Sequence, residues 1–181
     1  MNSFLLKGPD LYNSLNGVLW KFREKKIAFG GDIRDMFHRF KIREEDRSAQ
    51  RFLWRGRRRE GEPDVYEMTS MTFGATCSPV SALYTMQRNA EEFNSEFPEV
   101  VEAVRDRHID DYLGCRDTVE EAVKMIQDVT EVHRRGSLEI CKWICSSKEV
   151  LLSLPKEVRS STNLDLKMES ELATERVLRM Y

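Results

Sequence analysis

The chain has 181 residues, 40% of them hydrophobic, which is enough for one core and one domain or a little more. A formal net charge of -2 from 29 basic and 31 acidic side chains excludes a uniformly basic nucleic-acid coat. No apolar run reaches the length of a membrane span, and the start lacks the charged-then-apolar layout of a signal peptide, so an intracellular, cytoplasmic protein that is not secreted is expected.

Pro9 fits the first turn of a helix, and Leu11, Leu15, Val18, Leu19 and Phe22 follow at helical spacing. Residues 27–32 read as a buried strand ending on Asp32. Residues 50–54 and 64–68 read as two strands joined by a polar loop with Gly56, Gly61 and Pro63. Arg51, Arg55, Arg57, Arg58 and Arg59 gather there around Phe52, Leu53 and Trp54, either as a solvated basic turn or as a phosphate-binding group. Ser78 as N-cap with Pro79 after it opens a helix to about Phe93, and Pro98 opens a shorter one. Two short strands are expected to flank Asp110-Asp111.

Thr118 with Glu121 is a capping box, Val119, Val123, Ile126 and Val129 make an apolar stripe, and Gly136 is a stop. Leu138, Ile140 and the run Val150-Leu151-Leu152 read as strands. Residues 155–167 read as loop, and Val177-Leu178 as the start of another strand. The order predicts an α+β fold, with helices on one face of a largely antiparallel sheet and carboxylates on the other. The four cysteines, Cys77, Cys115, Cys141 and Cys145, form no CxxC pair and read as reduced thiols. A zinc site from Cys141, Cys145 and His133 lacks an evident fourth ligand.

Asp110-Asp111 sits in His108-Ile109-Asp110-Asp111-Tyr112-Leu113-Gly114-Cys115, with apolar residues on both sides. Adjacent carboxylates in a strand-like stretch repel each other and resist burial. Most such pairs mark a solvated turn. The alternative is a tight turn that aims both at divalent metal ions, with Asp32 as partner from another strand end.

Six stretches in register resemble the polymerase palm of reverse transcriptases, with the BEL/Pao type of LTR retrotransposon nearest in likeness. They are Leu6-Lys7-Gly8-Pro9-Asp10-Leu11, Gly31-Asp32-Ile33-Arg34-Asp35-Met36-Phe37-His38, and the run from Glu44-Glu45-Asp46 to Gln50-Arg51-Phe52-Leu53-Trp54-Arg55. The others are Met71-Thr72-Phe73-Gly74-Ala75-Thr76-Cys77-Ser78-Pro79, the Asp110-Asp111 segment, and Gly136 through Glu139, Lys142, Trp143, Ser146 and Val150-Leu151. Where many members carry glutamine this chain has Phe73, as BEL/Pao-like sequences have an apolar residue. Departures are His108 in place of tyrosine and Arg179 in place of glycine.

The resemblance implies RNA- or DNA-templated addition of deoxynucleotides through two magnesium or manganese ions. Residues 1–181 would be a partial reverse-transcriptase domain of a retroelement polyprotein, a palm with a fingers hairpin inserted at about 47–70 and ending before the thumb. It implies Asp32, Asp110 and Asp111 as catalytic metal ligands, with Asp35 in support. Phe37, Gly74 and Lys142 would bind nucleotide, Phe37 as the aromatic that excludes a 2′-hydroxyl. Arg55, Arg57 and Arg58 would contact nucleic acid. Partners would be an RNA or DNA template-primer and deoxynucleoside triphosphates, with no membrane. One alternative is a catalytically inactive remnant whose palm fold binds nucleic acid or a partner. Another is an unrelated α+β phosphotransferase using the same carboxylates.

Overall fold

The structure, a computed structural model, describes residues 2–57, 60–105, 109 and 111–160. Its elements are α1 (Leu15–Phe22), β1 (Ile27–Ile33), α2 (Met36–Arg39), β2 (Arg51–Trp54), β3 (Asp64–Glu67), α3 (Ser78–Glu92), α4 (Pro98–Arg105), β4 (Asp111–Arg116), α5 (Val119–Arg135), β5 (Ile140–Cys145) and α6 (Lys148–Ser153). This is a mixed α+β fold with small antiparallel sheets. It divides into two compact units, Leu11–Arg34 with Leu83–Tyr181 and Met1–Asp10 with Asp35–Ala82.

The larger unit is built on a three-stranded sheet in the order β4-β1-β5, antiparallel throughout. Alternation along β1 sends Phe29, Gly31 and Ile33 to one face and Ala28, Gly30 and Asp32 to the other. On the first face Phe29, Tyr112 and Trp143 are fully buried and pack as a three-ring cluster, with centroids 5.9–6.4 Å apart. Helix α5 packs across all three strands and contributes Ala122, Met125, Ile126, Val129 and Val132 to the core. The buried stripe is set back from the one expected, because Val119 and Val123 are only half-buried.

Local chemistry explains the ends of α5. Thr118 accepts from the Glu121 amide at 3.2 Å while the Glu121 carboxylate reaches back to the amides of Asp117 and Thr118, a complete capping box. Gly136 closes the helix, but its φ of -84° is not left-handed; Ser137 takes that conformation at 60°. Glycine is needed at 136 for space, since a Cβ there would lie 2.6 Å from the Asn89 side chain, which donates to the Val132 carbonyl.

Three expectations are corrected here. Helix α1 begins at Leu15, not near Pro9, with Ser14 at its N-cap. Ser78 starts α3, but its hydroxyl is buried without a hydrogen-bond partner among the described residues, so it does not cap. The strand expected before Asp110 falls on residues 106–108, which lie outside the described residues. Helix α4 spans Pro98–Arg105, and β4 pairs antiparallel with β1. Val150-Leu151-Leu152 lies in a helix, α6, whose N-cap Ser147 accepts from the Val150 amide. A three-residue apolar run carries no period of its own, so the cap decides. Residues 161–167 and Val177-Leu178 lie outside the described residues.

The smaller unit holds the β2–β3 hairpin, paired from Arg51↔Glu67 to Trp54↔Asp64. Phe52 stacks on Tyr66 at 5.7 Å and Arg51 bonds Glu67 at 2.9 Å. Every residue of both strands is exposed.

Candidate active site

The site forms where β1 runs out. Asp32 stands directly opposite Asp111 in the β1–β4 ladder, so both side chains leave the same face with their Cα atoms about 4.5–5.5 Å apart. Like charges in that relation destabilise a sheet. A cation answers them: the Lys142 ammonium donates to Asp32 Oδ2 at 2.7 Å. The hydrogen bond to that carboxylate, and then its charge, raise the Lys142 ammonium above its ordinary value, so it is held protonated.

Lys142 reaches Asp32 through a β-bulge. Gly30 pairs with Ile144 and Asp32 with Cys141, leaving Lys142 and Trp143 together opposite Gly31. Regular alternation would turn the residue after Cys141 toward the core. The bulge gives that place to Trp143 and puts Lys142 in the left-handed region, at φ 54°. Gly31 is required here: a Cβ would lie 2.8 Å from Ile140 Cγ2 and 3.0 Å from the Trp143 ring. The signal in the sequence was Lys142 alone among Ile140, Cys141, Trp143, Ile144 and Cys145, a charge inside an apolar strand.

Two neighbours complete the acidic end. Arg34 pairs with Glu139 at 2.8 Å, and its amide donates to the Glu139 carbonyl. Cys141 lies on the Asp32 face, where burial foremost pushes its thiol up, against a hydrogen bond from Arg34, so it stays protonated. Cys141 and Cys145 fall on opposite faces of β5, and the His133 ring bonds the Val129 carbonyl within α5, so the three do not form a zinc site. Among the described residues no three His, Cys, Asp or Glu side chains gather closely enough to hold a metal ion. Asp110 lies outside those residues; Ile109 before it has a left-handed φ of 48°.

Phe37, Gly74, Arg55 and Arg57 belong to the smaller unit, and Arg58 lies outside the described residues. Phe37 is buried and meets Phe73 edge-on at 4.8 Å. Gly74 has a φ of 83°, which L residues rarely adopt. Asn2 pins that turn, donating to the Gly74 carbonyl and accepting from the Thr76 amide. Arg55 and Arg57 are exposed past β2. Asp35 sits at the N-cap of α2 at φ 51° without a side-chain cap bond.

A cleft of about 460 Å³ lies elsewhere in the larger unit, lined by Lys21, Lys25, Glu99, Glu102, Tyr112 and Arg116, and takes in neither Asp32 nor Asp111. Among the described residues no helix is long and apolar enough to cross a membrane. Neither the models of known protein families nor the curated proteins contain a match to this chain.

Two carboxylates on one face, with a positive group drawn to one of them, make an oxygen-rich donor set of the kind a hard divalent cation takes.

Proposed function

We propose that the larger unit is the reactive part of a metal-dependent nucleotidyltransferase. The particular enzyme is a reverse transcriptase, with this unit as palm, the β2–β3 hairpin as part of the fingers, and a BEL/Pao-type retrotransposon polyprotein as origin. One observation carries the reading: antiparallel strands from distant parts of the sequence set Asp32 directly opposite Asp111. The resemblance of the motifs around both residues turns that acidic strand end from a generic cation site into a polymerase site.

Magnesium or manganese held by Asp32, Asp110 and Asp111 would activate a primer 3′-hydroxyl and neutralise the leaving pyrophosphate. Asp32 and Asp111 supply fixed negative oxygens from rigid strands, which costs no reorganisation during the reaction. Lys142 supplies a mobile positive charge beside them, suited to phosphate oxygens. Phe37 closes the sugar site against a 2′-hydroxyl, and Gly74 lets backbone approach a base pair. Arg55, Arg57 and Arg58 neutralise backbone phosphates of the template-primer.

The test is extension of a DNA primer on an RNA template by the protein as its gene encodes it. Extension with deoxynucleotides that Asp110→Asn abolishes is the expected result. Full extension by Asp110→Asn overturns the assignment.

A further inference from the structure

We propose that Lys142 is a built-in competitor for the divalent cation, a tethered counter-ion that must leave Asp32 before a metal ion can take full hold there. The inference rests on the metal reading of the Asp32–Asp111 pair and adds a control to it.

Three observations carry it. The ammonium lies 2.7 Å from Asp32 Oδ2, so it takes up an oxygen that a cation would bind and adds a repelling positive charge beside it. The contact comes from a dedicated backbone device: a bulge holds a lysine in the left-handed region, at φ 54°, where glycine would be the unstrained choice. A strand that needed the bulge only for shape would be served better by glycine. The Lys142 side chain is also 68% exposed on a four-carbon stem, so it swings into water without disturbing the sheet.

The consequence is that cation loading is weakened at rest. A ligand rich in phosphate oxygens offers the ammonium a second partner and releases Asp32. Cation and phosphate ligand are thereby favoured together over either alone.

Manganese binding to the whole chain, followed by the electron paramagnetic resonance of the free ion at fixed ionic strength, tests this directly. Lys142→Met and Lys142→Gly should each bind manganese about fivefold more tightly than the parent, the span of a partly exposed charge pair. Lys142→Arg should bind like the parent. Lys142→Gly should also melt higher, because glycine relieves the left-handed strain, so a folding defect in the Met variant would not hide the result. Asp32→Asn should remove the binding in every background. Equal affinity of parent, Met and Gly variants, with binding still lost in Asp32→Asn, overturns the counter-ion role and leaves the metal reading standing. Manganese binding that ignores Asp32→Asn, or no binding by any variant, overturns both.

Discussion

Phe37 has two claims on its ring. It is buried and touches Phe73 edge-on, as a core residue does, and it follows Asp32 by five positions, as a sugar gate does in the family this chain resembles. Phe37→Ala should raise ribonucleotide incorporation by the protein and destabilise it by about 3–5 kcal/mol. Phe37→Leu, with most of the volume kept, separates the two effects. Unchanged sugar discrimination in both variants would assign the ring to packing alone.

Glu131 makes a different kind of prediction. Arg134 and then Arg135 bond its carboxylate and lower its pKa from 4.5 to about 2. A carboxyl depressed in the folded state stabilises above its unfolded pKa and loses that contribution as protons arrive. The last turns of α5 should therefore weaken between about pH 4.5 and 2, seen as loss of helical circular dichroism, and Glu131→Gln should flatten that part of the acid limb.

At the scale of elements, the β1–β5 bulge is a tight constraint. Gly31→Ala pushes a methyl into Ile140 and the buried Trp143 ring, and strand backbone cannot give way as a surface side chain can. Urea unfolding should show a loss of about 1–3 kcal/mol, the range for overpacking a filled core. A neutral result would mean that the bulge relaxes and that Lys142 is not held where it stands. Thr118→Ala should cost about 1 kcal/mol through the capping box and leave the site untouched. Element identity was legible wherever a cap and a period agreed, as at Thr118 and along α5. It failed at Val150-Leu151-Leu152, where the run was too short to show a period. It failed at Pro9 because a proline suits a loop as well as a first turn.

For the whole molecule, the α+β class followed from the mixture of periods, and Asp32 was legible as a partner of Asp110-Asp111 from its place at a strand end, but its register opposite Asp111 was not. The distance along the chain between β1 and β4 hides their register from any local pattern. The bulge was hidden for another reason: it depends on which of two strands carries the extra residue. The basic hairpin makes its own prediction. Arg55→Ala and Arg57→Ala should each weaken template-primer binding about equally across sequences. Each should also reduce the slope of log affinity against log salt by about one, as loss of a phosphate contact does. A variant that alters sequence preference and leaves the salt slope unchanged would point to base contact in place of phosphate contact.

The opposed aspartates of β1 and β4 set selection for durability against selection for chemistry. Removing one negative charge relieves a repulsion that the sheet otherwise carries. Asp111→Asn should therefore raise the melting midpoint in buffer without divalent cations while it abolishes nucleotide addition, a trade common where reactive groups are crowded for function. A library of variants sorted only for heat resistance would replace Asp111 early, and one sorted for primer extension would keep it.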